Sequence, residues 1–282
     1  SDLMETPVSH QAYEASRLDD SETKEMLSKT YPYTILITED DDEVRGFLER
    51  ELSLHFKIRT VANGKDALRV LEEEEISLVV SDVMMPEMNG FELCRTIKSQ
   101  LPFSHIPVIL LTALTDERQR IFGITGGADD YIQKPFHTDY VKIKIIHLLQ
   151  ERQKLRERLL EKLRDNKLLL SEPEKVESID DTFLRKFAEQ IEAVYADPEY
   201  NVEKLSETLG LSRGHLHRKI KELTGTAPVE FLRTYRLNKA TQLLRQNAYT
   251  VSEVAYRTGF SSPAYFSKCF KAVYGVTPTE YQ

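Results

Sequence analysis

Residues 31–150 alternate short apolar runs with longer amphipathic stretches. Five runs are short, apolar and rich in β-branched residues, as buried strands are: YTILIT, FKIRTVA, SLVVSD, PVILLT and DYIQ. Stretches of helical periodicity, such as DDEVRGFLERELSLH and NGKDALRVLEEEE, lie between them. Strands that alternate with helices favour a parallel sheet covered on both faces. We therefore predict an α/β doubly wound, five-stranded parallel sheet for this region.

The segments on either side of this region have different patterns. Residues 1–30 are polar and poorly patterned, which predicts a disordered lead or linker with at most one short helix. Residues 138–170 predict one long helix, and we expect a helical linker and hinge over 151–181. Apolar residues recur along the long helix at spacings of three, four or seven: Ile145, Leu148, Leu155, Leu159 and Leu163. They form either a coiled-coil-like dimer seam or a face that packs on its own domain.

Residues 182–282 are helical throughout and contain an internal repeat. The segment 201–212 matches 250–261 at an offset of 49, and 221–230 matches 271–280 at an offset of 50. This alignment pairs Ser212 with Ser261 and places one inserted residue between the two blocks. Each copy reads as a helix, a glycine-containing turn, a serine N-cap and a second helix. The sequence thus predicts an all-α domain with two helix-turn-helix units.

Length and composition exclude several classes of protein. With 282 residues, 40% of them hydrophobic and 30% charged, the chain is too apolar to be wholly disordered and long enough for two domains. No apolar run approaches the roughly 18–20 residues of a membrane span, so we expect no membrane contact by this segment. The two cysteines, Cys94 and Cys269, lack metal-ligand spacing and agree with a cytoplasmic protein. Because the chain begins at Ser1 rather than Met, we expect a piece of something longer.

The charge of the chain is divided unevenly. The net charge is −8, yet residues 183–282 hold 14 Lys+Arg against 10 Asp+Glu. From residue 211 onward the count is 11 against 4, a net charge of +7. This division indicates an acidic regulatory or metal-using half and a half that binds a polyanion.

Five polar residues end or follow predicted strands: Glu39, Asp40, Asp82, Thr112 and Lys134. In a doubly wound sheet these strand ends meet at one edge. Three carboxylates in one place repel one another unless a cation lies among them, and Mg2+ prefers oxygen ligands. The pattern predicts a Mg2+ site, with Lys134 and Thr112 able to contact a phosphoryl group at Asp82.

Residues 32–150 resemble a response-regulator receiver domain. The motifs ITEDD, SDVMMPEMNG, VILLTA and ADDYIQKPF carry the resemblance. It implies that Asp82 accepts a phosphoryl group from a histidine kinase. It also implies that Lys134 pairs with the phosphoryl group and that Pro135 follows a cis peptide bond. The implied Mg2+ ligands are Asp40 and Asp82, Glu39 through water, and the backbone carbonyl of Met84. Thr112 and Tyr131 are the implied switch pair, with Ala113 leaving room for their movement.

The second helices of the two helix-turn-helix units each have an apolar and a polar face. In the first, Leu216, Ile220 and Leu223 are predicted to face the core. In the second, Phe266 and Phe270 do so. The outward residues are Arg213, His217, Arg218 and Lys221 in the first helix and Ser262, Ser267, Lys268 and Lys271 in the second. Such basic helices suit the major groove of DNA.

Residues 183–282 resemble the AraC-type DNA-binding domain. The segments LSRGHLHRKIKELTG, RLNKATQLL and SEVAYRTGFSSPAYFSKCFKAVYGVTPTEY carry the resemblance. It implies two recognition helices, held by a rigid connecting helix, in successive major grooves. The implied base-facing positions are Gly214, His217 and Arg218 in the first unit and Pro263, Ala264, Ser267 and Lys268 in the second. Arg213 and Ser262 would contact the DNA backbone instead.

The order of the segments favours one class of function over two others. A receiver followed by an AraC-type domain resembles a two-component response regulator and, more closely, the C-terminal portion of a hybrid sensor. We expect a phosphorylation-controlled transcription regulator that is a homodimer when phosphorylated and is not an enzyme. A phosphatase is a second hypothesis, but Met84 stands where such enzymes commonly carry a carboxylate. The third is a phosphorelay or scaffolding module with a weak or inert DNA-binding half.

Overall fold

The computed structural model describes residues 20–113, 127–164 and 178–282. The chain divides into two compact units. One comprises Ser1–Gln100 with Ile106–Glu151, and the other comprises Leu101–His105 with Arg152–Gln282. None of the described helices combines the length and the apolar character that crossing a membrane requires.

The first unit is built on a five-stranded parallel sheet, which confirms the predicted fold class. Its strands are β1 (Thr34–Thr38), β2 (Lys57–Val61), β3 (Leu78–Asp82), β4 (Val108–Thr112) and β5 (Asp130–Gln133). The order across the sheet is β2-β1-β3-β4-β5, with every neighbouring pair parallel. All five residues of β3 are buried, as expected for a central strand between two helical layers.

Helices connect the strands and begin at polar caps. They are α2 (Asp42–Ser53), α3 (Gly64–Glu73) and α4 (Gly90–Ser99), and the region also contains α1 (Asp20–Ser28) and α5 (Thr138–Arg164). The side chains of Asp41, Asn63 and Asn89 accept hydrogen bonds from the first backbone amides of α2, α3 and α4. The caps therefore fix where each helix starts after its strand. The helix expected between β4 and β5 lies outside the described residues.

The long helix α5 was predicted over 138–170, and its residues beyond Arg164 lie outside the described residues. Ile145 is buried in the core of the sheet unit, and Leu148 packs against that core. Leu155, by contrast, is exposed. The first part of the predicted seam therefore packs on its own domain, while a dimer contact farther along remains a prediction. The helix α1 is the one short helix allowed in the predicted lead, whose residues 1–19 lie outside the described residues. Of the linker and hinge predicted over 151–181, residues 165–177 lie outside them, and a helix already begins at Ile179.

The second unit is helical over its described residues. Its helices are α6 (Ile179–Val194), α7 (Val202–Leu209), α8 (Arg213–Thr224), α9 (Pro228–Arg245), α10 (Val251–Arg257), α11 (Pro263–Tyr274) and α12 (Pro278–Tyr281). Two hydrophobic cores form, one for each copy of the repeat. Leu216 and Ile220 of α8 are buried in the first, and Phe266 and Phe270 of α11 in the second. These inward faces are as predicted.

The structure corrects one detail of the repeat alignment. Ser212 is the N-cap of α8, and its hydroxyl accepts from the amide of His215. The corresponding cap of α11 is Ser262, which accepts from the amide of Tyr265. Pairing Ser212 with Ser261 was therefore wrong, because the extra residue lies within the second turn, before the cap. From the caps onward the two copies correspond at an offset of 50.

Candidate functional site

The carboxylates predicted to form a site come together at one edge of the sheet. Glu39 and Asp40 directly follow β1, and Asp82 is the last residue of β3. Because β1 and β3 are paired in parallel, with Thr38 opposite Ser81, their carboxyl ends lie side by side. Ligand oxygens of Glu39, Asp40 and Asp82 all lie within 4.8 Å of one another. Glu39 and Asp82 are buried, whereas Asp40 is exposed.

Lys134 joins two of these carboxylates. Its Nζ lies 2.6 Å from Oδ1 of Asp82 and 2.8 Å from Oε2 of Glu39. The peptide bond between Lys134 and Pro135 is cis, as the resemblance implied. Burial disfavours the ammonium, but the hydrogen bonds and charges of Asp82 and Glu39 outweigh it and raise the pKa of Lys134. Burial, together with the charge of Asp82, raises the pKa of Glu39 despite its bond to Lys134.

The donor set of this edge fits a small hard cation. Three carboxylates and one ammonium leave a formal charge of −2, and oxygen donors predominate. The exposed Asp40 leaves one side of the cluster open to solvent. Met84 adjoins the cluster, since its backbone N–H donates to Oδ2 of Asp82 at 2.7 Å. The role of the Met84 carbonyl as a ligand stays a prediction.

Two further residues shape the site and were not singled out in the sequence. A side chain at Gly90 would place its Cβ 2.2 Å from the carbonyl oxygen of Asp82, so only glycine fits where α4 begins. Arg45 of α2 donates to the backbone carbonyl of Glu39 at 2.8 Å. The helix-cap pattern MNGFE could have pointed to Gly90, because the glycine directly follows the Asn89 cap. Arg45 had no such signal.

The predicted switch residues lie on the neighbouring strands β4 and β5. Leu110 pairs with Tyr131 and Thr112 pairs with Gln133. Side chains two residues apart on a strand share a face, so Thr112 and Tyr131 lie on the same face of the sheet, two positions apart. The hydroxyl of Tyr131 is buried, and burial raises its pKa to about 12. Whether the pair relays a signal stays a prediction.

Helix α8 presents most of the predicted DNA-contacting residues to solvent. Arg213, Gly214, His217 and Lys221 are exposed and Arg218 is half-buried. Arg213 forms an ion pair with Glu203 of α7, at 2.8 Å. Contact between Arg213 and DNA would therefore compete with this pair.

Helix α11 presents a less basic surface. Ala264, Lys268 and Lys271 are exposed, whereas Ser262, Pro263 and Ser267 are half-buried. The hydroxyl of Ser267 donates to the carbonyl of Pro263 at 2.9 Å, within the helix itself. Tyr265, which the sequence reasoning overlooked, is 51% exposed beside Ala264. Its position three residues after the Ser262 cap, equivalent to His215, was the available signal.

One basic residue counted in the positive tail does not reach the surface. The side chain of Lys219 on α8 is fully buried, and its Nζ lies 2.6 Å from Oδ1 of Asp180 on α6. The same Nζ lies 5.1 Å from the ring centroid of Phe183. The net charge of +7 therefore overstates the positive charge that this region offers to a polyanion.

Two families of known proteins match separate parts of the chain. Residues 35–146 match the response regulator receiver domain family, and residues 205–282 match a helix-turn-helix domain family. The chain therefore carries a response regulator receiver domain followed by an AraC-type helix-turn-helix domain, which confirms the resemblance seen in the motifs.

Individual proteins are similar to parts or most of the chain. The chain is 37% identical to histidine kinase P4 of Formosa agariphila over 94% of its own length and 19% of the kinase. It is 44% identical to the transcriptional regulatory protein GltR of Pseudomonas aeruginosa over 43% of this chain and 50% of that protein. The solved receiver domain of a signal transduction histidine kinase from Syntrophus aciditrophicus is 38% identical, with a TM-score of 0.41, over 42% of this chain and 91% of that one. The chain thus spans a fifth to a half of the curated relatives named here.

Proposed function

We propose that the chain is a phosphorylation-controlled, sequence-specific DNA-binding transcription regulator of a two-component system. In this proposal Asp82 accepts a phosphoryl group from a histidine kinase, which is a separate protein or part of the same longer chain. The observation that carries the proposal is the position of Lys134, whose ammonium contacts both Asp82 and Glu39 within the carboxylate cluster. The duplicated helix-turn-helix on the same chain supplies the output.

The chemistry assigned to the cluster is a single phosphoryl transfer. A carboxylate oxygen of Asp82 forms the new bond to phosphorus as the bond from phosphorus to the kinase imidazole nitrogen breaks. Glu39, Asp40, Asp82 and the Met84 carbonyl would hold Mg2+, which neutralises charge on the transferred group. Lys134 stands within ion-pair distance of the acceptor and can stabilise the product. Thr112 contributes a hydroxyl donor at the same sheet edge.

The output side of the proposal is recognition of DNA by α8 and α11. The exposed His217 and Lys221 and the half-buried Arg218 form a basic face on α8, and Lys268 and Lys271 form a smaller one on α11. Lysine and arginine on such a face neutralise phosphates, and arginine can contact guanine with two hydrogen bonds. We propose that phosphorylation changes DNA affinity through Thr112, Tyr131 and α5, with a homodimer as the phosphorylated form.

Labelling tests the acceptor. The protein is incubated with a small phosphodonor and Mg2+, and its phosphorylation is followed by intact mass. We expect one added phosphoryl group, which is absent from Asp82→Asn and absent when a chelator is present. The matched control is Glu87→Gln, because Glu87 is an exposed carboxylate after β3 that pairs with Lys65 rather than with the cluster. Full labelling of Asp82→Asn would contradict the assignment.

Selection tests the output. DNA fragments that bind the chain are selected from a random library before and after phosphorylation, and affinities for the selected fragments are measured. We expect one enriched sequence and tighter binding by the phosphorylated chain. Equal affinity for every fragment in both states would contradict sequence-specific regulation and would favour a scaffolding role.

A further inference from the structure

The two helix-turn-helix units share one helix. The first part of α9 contributes Phe231, Leu232 and Tyr235 to the core of the first helix-turn-helix unit. The later part contributes Leu237, Ala240 and Leu244 to the core of the second unit. The helix thus holds one unit at each end, and any rotation between the units must bend α9 or break its packing.

A side chain of this shared helix hydrogen-bonds to the C-terminus of α6, which belongs to the first helix-turn-helix unit. Arg236 of α9 donates from Nε to the carbonyl of Tyr195 at 2.7 Å and from Nη2 to the carbonyl of Asp197 at 2.6 Å. Tyr195 is the C-cap of α6, and the last turn of α6 has no basic residue of its own. A guanidinium from another helix therefore satisfies carbonyls at the negative end of α6.

A second pair of charges strengthens the same junction. Nζ of Lys239, one turn along α9, lies 2.8 Å from Oε1 of Glu192 on α6. It also lies 5.4 Å from the ring centroids of Tyr195 and Tyr235. The hydroxyl of Tyr235 donates to the same carboxylate of Glu192. The junction of α6 and α9 is consequently fixed by several directional contacts.

The turn of the second helix-turn-helix unit packs closely against this junction. Gly259 has a φ of +79°, and a Cβ at this position would lie 2.1 Å from the carbonyl oxygen of Tyr195 and 2.8 Å from Nε of Arg236. Its counterpart in the first unit, Gly210, has a φ of +68° but nothing within 4 Å of the corresponding position. Both glycines allow the left-handed backbone of their turns. Of the two, only Gly259 also permits a close approach between the two helix-turn-helix units.

We propose that Arg236 and Gly259 are positioning residues for DNA recognition, which fix the distance and the rotation between the recognition helices α8 and α11. The inference rests on the proposed DNA-binding function. Each base pair inserted between two groove sites moves one site by about 3.4 Å and turns it by about 35°. A junction held by backbone contacts resists such a displacement, so the chain selects one spacing between the two parts of its DNA site.

Spacing selection is the direct test. The unsubstituted chain is used to select a DNA site from a random library. Derivatives of that site are then made with one base pair inserted or removed between its two halves, or with one half scrambled. Affinities are measured for the unsubstituted chain and for Arg236→Ala, Arg236→Lys, Gly259→Ala and Gly210→Ala.

We expect Arg236→Ala to bind the selected site about tenfold more weakly, within the range that coupling between two sites commonly reaches. Its affinity for the half-scrambled site should stay within about twofold, because each recognition helix remains intact. The penalty for an inserted base pair should shrink, and sites that Arg236→Ala selects for itself should show a broader range of spacings. Arg236→Lys should be intermediate, since an ammonium retains the charge but not the planar fork of donors.

The two glycine variants form a matched pair. Both place a side chain on a left-handed backbone, but only Gly259→Ala also collides with the Tyr195 carbonyl. We expect Gly259→Ala to relax the spacing preference as Arg236→Ala does, and Gly210→Ala to retain it. Circular dichroism and thermal unfolding establish that each variant is folded, and if Gly259→Ala does not fold, the two Arg236 variants decide the test.

Two results would overturn the inference in distinguishable ways. If Arg236→Ala loses affinity equally for the full and half-scrambled sites and keeps the full spacing penalty, Arg236 only stabilises the fold. If the unsubstituted chain selects no DNA sequence, the proposed function itself fails and the inference fails with it.

Discussion

Lys134 and Lys219 each form a 2.6 Å ion pair with an aspartate, but their surroundings differ. Lys134 contacts both Asp82 and Glu39, its side chain is 25% exposed, and the exposed Asp40 adjoins its partners. Lys219 pairs with Asp180 and also donates to the hydroxyl of Ser104 at 3.0 Å. Its side chain is 0% exposed and lies against the ring of Phe183. The first site has surplus negative charge and an open side, and the second has neither. A buried ion pair therefore indicates a functional site only where further charge and access accompany it.

The largest expected effect is at the closed pair. Lys219→Ala should lower the free energy of unfolding of the helical unit by about 3–5 kcal/mol, because it removes one partner of a buried ion pair. Lys219→Met with Asp180→Asn should cost far less, since neither charge is then left without its partner. Urea unfolding followed by circular dichroism measures both. Lys221→Ala on the same helix is the exposed control, expected within about 0.5 kcal/mol; an equal loss there would contradict the contrast.

The open site should respond to metal. Mg2+ at about 100 times its Kd should raise the free energy of unfolding of the receiver by about 2.7 kcal/mol, because it binds only the folded cluster. Thermal unfolding with Mg2+ and then with excess chelator measures this stabilisation. Asp40→Asn should weaken it, whereas Lys219→Met with Asp180→Asn should leave it unchanged. A chain that is equally stable with and without Mg2+ would remove the distinction between the two sites.

Salt dependence should separate the buried lysine from its exposed neighbour. The logarithm of DNA affinity falls against the logarithm of salt concentration with a slope of about −0.9 for each phosphate neutralised. Lys221→Gln should make the slope shallower by about 0.9. Lys219→Met with Asp180→Asn should leave it unchanged. Arg218→Ala should lower specificity by about 1–3 kcal/mol if Arg218 contacts a base. A changed slope for Lys219→Met with Asp180→Asn would mean that the buried lysine reaches the DNA.

The smallest expected effect concerns pH in the metal-free receiver. The pKa of Glu39 in the folded state lies above its ordinary value of 4.5, chiefly because of burial. The stabilisation associated with this shift is complete below the ordinary value and is lost as pH rises through the folded pKa. The free energy of unfolding of the unsubstituted chain, relative to Glu39→Gln, should therefore increase as pH falls from neutrality towards 4.5. Urea unfolding across this range measures the difference, and a constant difference would contradict it.

Much of the receiver site could be predicted from sequence because parallel strands order their own ends. Asp82 closes an apolar run, and Glu39 follows another, so sheet topology brings them together. The contact between Gly90 and the Asp82 carbonyl could not be predicted in the same way, because it depends on how α4 packs. The distances between strand ends follow from the regular spacing of hydrogen-bonded strands. How closely a helix packs depends instead on the individual side chains at the contact.

The helical unit was predicted less completely for a related reason. Lys219 lies three residues after Leu216 and four before Leu223, which is the spacing of a core position, and its counterpart Cys269 is buried. Because the neighbouring residues are also basic, Lys219 was counted with them as a surface residue. Its partner Asp180 lies 39 residues away, and no local sequence pattern links the two. The misplaced insertion had a similar cause, since identity favoured Ser261 while the capping hydrogen bond belongs to Ser262.

The shared helix α9 has a consequence for how chains of this kind can change in length. Inserting one residue between Tyr235 and Leu237 would turn everything beyond it by about 100° and advance it by about 1.5 Å. Leu237, Ala240 and Leu244 would then leave the second core together. The turn from Gly259 to Ser262 has already accepted one residue more than the turn from Gly210 to Ser212, with its helix cap intact. Chains that descend from the same duplication could therefore gain or lose residues in their turns. Insertion or deletion of one residue in the helix between the copies would instead separate the two cores.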